Sequence, residues 1–167
     1  MVAGAVLVTA FEPFGGGTVN ASWEAARRID GVRCGESVAT VRLLPCAYDA
    51  CVAELVLAVE TLRPVAVVMT GQAASRRVVC VERVARNRTH PTARDNRGGL
   101  GSPATGGRDM VETTAPTGAI VQAIRAAGVA ARVSNDAGDY VCNHLYYHAL
   151  RRFADVLEPT QGEILDR

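Results

Sequence analysis

The strongest constraint in this sequence is a repeated switch between two hydrophobic periods. Nearly continuous apolar runs, Ala5–Ala10, Val38–Leu44 and Val65–Thr70, alternate with stretches whose apolar residues recur every three or four positions. Short continuous runs read as strands buried on both faces, whereas the three-to-four spacing reads as amphipathic helix. Asn20 or Ser22 caps a helix running to about Ile29, with Glu24 early and Arg27 and Arg28 late. Val52, Leu55, Val56, Val59 and Leu62 share one helical face that stops before Pro64. Arg77–Ala85 reads as another strand, Thr117–Ala127 as a helix stopped by Gly128, and Ala131–Ser134 as a strand. A final helix runs from about Cys142 to Phe153. Strands alternating with helices demand a mostly parallel sheet covered on both faces, so the fold class is α/β.

The chain has 167 residues, enough for one domain with a sizeable core, and residues 1–167 show no linker, repeat or low-complexity break. Its 49% hydrophobic and 21% charged residues exclude a disordered chain, and a net charge of +1 gives no pull toward nucleic acid or membrane. The apolar N-terminal run lacks a preceding basic segment and closes at Glu12, so it reads as a strand rather than a signal peptide. No apolar stretch approaches the roughly 18 residues that span a bilayer. Five cysteines without a CxxC pair point to a reduced, cytoplasmic protein, and Cys46 and Cys51 lack the second ligand pair of a zinc site. Neither a metal nor a cofactor is expected.

Several features bear on chemistry. The segment Arg76–Arg97 holds seven Arg against Glu82 and Asp95, without the interleaved aromatics of a nucleic-acid surface, and reads as a solvated or partner-facing loop. From Arg86 to Gly107 the chain is polar and aperiodic, and a loop of that length is expected to be functional or mobile. Gly15–Gly17 follows a strand, but without Gly-Lys-Ser/Thr or a G-x-G-x-x-G spacing a phosphate cradle is disfavoured. Phe11 and Phe14 flank that loop, either plugging the end of the sheet or walling a flat pocket. Cys142 follows a strand and a tight Asp-Ala-Gly turn at the start of a helix, where the helix dipole and free N–H groups favour a thiolate. Asp139 opposes that effect. Glu82 interrupts an apolar strand and is either an outward edge residue or the orienter of a catalytic group.

Four ordered stretches give these residues a common reading: LVTAFEPFGGGTVNASWEA, GQAASRRVVCVERVARN, the Asp95-Asn96 step with Gly98, and VSNDAGDYVCNHLYYHAL. Together they resemble the pyroglutamyl peptidase I (pyrrolidone-carboxylate peptidase) family, and they extend over nearly the whole chain. The resemblance implies a three-layer α/β/α sandwich with a twisted, mostly parallel central sheet. It implies a cofactor-independent thiol hydrolase that removes N-terminal pyroglutamate from peptides and assembles as a homo-oligomer. In its terms Cys142 is the nucleophile, Glu82 belongs to the catalytic triad, and Phe11, Phe14, Gln72 and Val141 line the substrate pocket.

The sequence departs from the family pattern at three places. GQAASR stands for the more usual GQAGGR, and Thr92 stands where an Arg is common. The family's catalytic His lies in a G-F-[IV]-H-V-P segment beyond the Cys, whereas this sequence closes on QGEILDR and has no His after His148. The expectation is a chain short at its C-terminus relative to the family and weak or silent as a peptidase. The alternative is an inactive relative that binds pyroglutamyl or lactam ligands. His144 and His148, about 200° and 240° around the final helix from Cys142, are expected to point away from the thiol, leaving His90 as the one His able to swing in.

Overall fold

A computed structural model describes residues 4–153. In chain order the elements are β1 (Ala5–Phe11), α1 (Ala21–Ala26), β2 (Arg33–Cys34), β3 (Ser37–Leu44), α2 (Tyr48–Leu62) and β4 (Ala66–Met69). There follow β5 (Val79–Glu82), β6 (Val84–Arg86), β7 (Met110–Glu112), α3 (Thr117–Ala126), β8 (Ala131–Ser134) and α4 (Val141–Phe153).

Strand β1 lies between β3 and β4 and pairs in parallel with both. A short antiparallel β2 extends this sheet to the order β2-β3-β1-β4. Side chains of β1 alternate between two cores, as a two-residue period requires. Leu7 and Phe11 join Leu44, Leu55, Val141 and Leu145 beneath α2 and α4. Val8 and Ala10 join Ala39, Val41 and Ala26 beneath α1, with Trp23 packed at the margin. Helices therefore cover both faces and the architecture is α/β/α. Each fully buried Leu in such a core contributes about 1.5–3 kcal/mol relative to exposure.

Most element boundaries fall where the sequence puts them, and Asn20 is the cap of α1, its Oδ1 accepting from Ser22 N at 3.0 Å. Three differences have physical causes. The predicted strand Arg77–Ala85 breaks at Arg83: β5 pairs in parallel with β8, while β6 turns to pair antiparallel with β7. The buried stripe of α2 is Tyr48, Cys51, Leu55 and Ala58, rotated from the predicted one, because α4 packs on that side and leaves Val52, Val56 and Val59 at the margin. Strand β4 is apolar yet half open to solvent, with Val68 47% exposed, since among the described residues it has a ladder partner only on its β1 side.

The long polar stretch is held down by its own chain. Asn143, fully buried, accepts from Arg86 N and donates to the carbonyls of Arg86 and Arg88. Asn87 exchanges two hydrogen bonds with Ala104, and Thr89 donates to Gly101 O. Asp95 accepts from the amides of Tyr48, Arg97 and Gly99, which holds its carboxyl below the usual range against the opposing effect of burial. Asn96 reaches Glu12 and Pro13 O.

Candidate active site

Helix α4 carries the nucleophile candidate between two sets of strand ends. Its first turn closes with His144 N bonding to Tyr140 O, after a turn in which Gly138 adopts φ +85°. That left-handed conformation costs a residue with a Cβ, so glycine permits the abrupt entry. Val141 and Leu145, four apart, are buried in the main core and fix the helix rotation. Cys142, between them, is half-buried and points at the loop leaving β4.

The packing there is close. A Cβ placed on Gly71 would lie 2.9 Å from Cys142 Sγ and 3.9 Å from the Phe11 ring. Gly71 is thus the spacer between the thiol and the last residue of β1. Phe11 is buried, whereas Phe14 is half-buried and packs at 6.0 Å, tilted 42°, against the Tyr140 ring. Tyr140 donates to Arg94 O at 2.9 Å and so ties the approach to α4 to the polar loop. Gln72 turns its Oε1 toward Ala21 N, at 2.6 Å, bracing the post-β4 loop on the first turn of α1. Val141 has no exposed surface, so its side chain belongs to the main core rather than to an open wall.

Glu82 ends β5, opposite Ser134 of β8. One carboxylate oxygen pairs with Arg76, whose guanidinium also donates to Asp136 O. The other, Oε2, is buried and has no hydrogen-bond partner among the described residues. A buried carboxylate oxygen without a donor is costly, and it marks a place for an incoming N–H or O–H group. Tyr146, one helical turn after Cys142, donates to Glu82 O at 2.7 Å. The helix bearing Cys142 therefore touches the end of β5 as well as the ends of β1 and β4.

Burial works against the helix-start effect at the thiol. The Cys142 thiol is pushed up to about 12, first by burial and then by the neighbouring Cys46, against a smaller opposing backbone hydrogen bond. Among the described residues no cation adds to the helix-start effect, and burial works against it in favour of the protonated thiol. Among the described residues no side chain hydrogen-bonds to its sulfur. His144 faces α2, its Nε2 3.8 Å from Asp49 Oδ1, away from the thiol as the helical angle requires. His90 Nδ1 accepts from the amides of Thr92 and Ala93, at 3.2 and 2.9 Å, which commits that nitrogen to the loop. The terminal segment of the sequence reading, with its QGEILDR close, lies outside the described residues.

Sequence reasoning quoted the Asp95-Asn96 step without giving it a role, and it gave none to Glu12, Tyr140 and Asn143, which complete the polar scaffold. Asn143 had a signal, a polar residue between the apolar Val141 and Leu145 of the final helix. Asp95 had another, an Asx residue just ahead of Gly98 and Gly99 in a turn.

Comparison with known proteins places this geometry. The family model described as pyroglutamyl peptidase matches residues 4–164. The pyrrolidone-carboxylate peptidase of Cupriavidus necator is 41% identical over 152 residues, covering 89% of this chain and 70% of the relative. Pyrrolidone-carboxylate peptidase 2 of Photorhabdus laumondii is 40% identical over 164 residues, covering 96% and 75%. Among solved structures, pyroglutamyl peptidase I of Bacillus amyloliquefaciens superposes with TM-score 0.87 at 34% identity, over 92% of this chain and 76% of that one. A mutant pyrrolidone carboxyl peptidase of Pyrococcus furiosus gives 0.84 at 30%, over 90% and 74%.

Proposed function

Because the chain belongs to the pyroglutamyl peptidase family, we propose that it is a cysteine peptidase of the pyroglutamyl peptidase I type, with Cys142 as its nucleophile. Its substrates are peptides that begin with pyroglutamate. The observation that carries the assignment is the seat of Cys142: a half-buried thiol in the first turn of α4, set against Gly71 and Phe11 where β1 and β4 end. Ligand sites in α/β sheets lie outside the carboxyl ends of parallel strands.

The chemistry follows from those positions. The sulfur attacks the pyroglutamyl carbonyl carbon as its proton passes to a base, and the C–O π pair moves onto oxygen. Collapse expels the peptide amine, which takes up a proton, and water then hydrolyses the thioester. Glu82 has the role of orienter: its free Oε2 accepts from the group that carries the proton, while Arg76 holds Oε1. Phe14 and Gln72 form the accessible wall of the lactam pocket, and Phe11 and Val141 support it from beneath. A neutral, rigid ring suits a small apolar slot with few polar contacts.

Five free thiols agree with a reducing compartment, and we place the protein in the cytoplasm as a one-domain homo-oligomer. Among the described residues no helix is long and apolar enough to cross a membrane. Release of aminocoumarin from a pyroglutamyl-coumarin amide tests the activity. The expected result is turnover that disappears in Cys142→Ser. Absence of turnover, with thermal stabilisation by 2-pyrrolidone retained, would replace the peptidase by a lactam-binding protein.

A further inference from the structure

We propose that Arg83 and Arg86 select peptides that carry acidic residues directly after the pyroglutamate, an inference that rests on the peptidase reading of Cys142. The Arg-rich stretch is not spread evenly over solvent. Four of its arginines close on one turn, the one that leads from β8 into α4. Arg76 donates to Asp136 O, and Arg83 Nε donates to Asn135 Oδ1 at 3.0 Å. Arg86 Nη2 reaches Asn135 O at 3.5 Å, and Arg88 Nε reaches Gly138 O at 3.3 Å.

Two of the four already have a carboxylate, Arg76 in Glu82 and Arg88 in Asp136. Among the described residues Arg83 and Arg86 form no salt bridge. Most N–H donors on these two guanidiniums stay open, and such a fork takes a carboxylate in two parallel hydrogen bonds. Arg83 is exposed and Arg86 half-buried, so the pair is accessible yet partly shielded from competing water. Asp136 does not satisfy them. Burial raises its carboxyl, but the Gly138 amide, Arg88 and Arg86 outweigh that and hold it below the usual range, ionised and already bonded. Asp139, at the far end of the turn, adds one more negative charge. Four guanidiniums against Glu82, Asp136 and Asp139 leave the patch positive.

The place of the patch decides which part of a substrate it meets. The backbone of Arg86 exchanges hydrogen bonds with Asn143, the residue after Cys142. On the other side the thiol faces Gly71 and Phe11, the ring side of the site. The leaving amine takes its proton from a group oriented by Glu82, so the leaving peptide lies toward Glu82, and Arg83 follows Glu82 directly. An extended peptide advances about 3.3–3.6 Å per residue, so the first few residues past the scissile bond span a turn of this size.

The test is fluorescence anisotropy with labelled peptides and the Cys142→Ala protein, which cannot consume them. Pyroglutamyl-Glu-Glu-Gly should bind about tenfold tighter than pyroglutamyl-Gln-Gln-Gly in dilute buffer. The advantage should shrink at about 0.5 M salt. Arg83→Gln with Arg86→Gln should erase it and leave the neutral peptide bound as before, whereas Arg83→Lys with Arg86→Lys should retain part of it. Arg83→Gln alone changes an exposed residue and should remove a share of the preference even if the double variant folds poorly, which near-UV circular dichroism checks. Equal affinity for the two peptides, or a preference unmoved by these substitutions, would overturn the proposal. So would equally tight binding of an acetylated acidic peptide without the lactam ring, which would make the patch a general anion surface. Displacement by a short oligonucleotide at equal concentration would reassign it to nucleic acid and overturn it as well. Wild-type turnover of the pyroglutamyl-coumarin amide, measured alongside, separates the two readings. Turnover without acid preference removes this inference alone; acid preference without turnover removes the peptidase and leaves the acid-selective binding.

Discussion

A single missing side chain sets the reach of the thiol at the centre of this protein. Gly71→Ala would put a methyl 2.9 Å from Cys142 Sγ and force the sulfur aside. Displacements of about 1 Å can cost on the order of 100-fold in rate, so kcat/KM should drop by that order while the melting temperature moves little. Steady-state kinetics beside a thermal melt separates the two effects. The thiol itself is expected to react slowly. With its pKa raised to about 12 by burial, its alkylation by iodoacetamide should climb tenfold per pH unit from pH 7 to pH 10. A plateau near the ordinary thiol value of about 8.5 would show that a neighbouring cation counters the burial. Mass spectrometry of the labelled peptide distinguishes Cys142 from exposed Cys34.

At the level of elements, Asn143 fastens the polar loop to α4 with three hydrogen bonds from a fully buried amide. Asn143→Ala leaves Arg86 N and two carbonyls without partners, at about 1–3 kcal/mol for each group that stays buried. The loss should appear as faster hydrogen exchange and proteolysis across residues 86–97, before global unfolding. Strands and helices were legible because burial imposes a period on sequence, as Ala131–Ser134 shows by matching β8 residue for residue. Partnership imposes none. Glu82 and Arg83 interrupt the apolar pattern of Arg77–Ala85, but nothing in the sequence reveals that its two halves pair with different strands. Nor could spacing alone reveal that burial at the half-buried Cys142 would work against the helix-start effect. The motif residues were readable; their hydrogen-bond partners, such as Asn96 reaching Glu12 across 84 positions, were not.

For the molecule as a whole, the buried His144 ties stability to pH. Its pKa is lowered to about 4 by burial, with His148 adding to the shift and Asp49 opposing it. Between that value and the ordinary 6.5 the unfolded chain binds more protons than the folded one, so stability rises with pH. The contribution is complete above pH 6.5 and is lost as pH falls toward 4, a change of about 1–3 kcal/mol. Chemical denaturation between pH 4 and 7.5 measures it. His144→Phe, which cannot titrate, should flatten the profile; an unchanged slope would assign the acid sensitivity to other groups. The same helix governs alignment on a larger scale. Since α4 abuts Gly71 and Phe11 through Cys142 and the end of β5 through Tyr146, it is the common datum from which both sides of the site are measured. Positional error between the two strand ladders does not accumulate along the intervening loops. It is limited to the play of one helical turn, so the site's tolerance is inherited from the stiffest part of the chain.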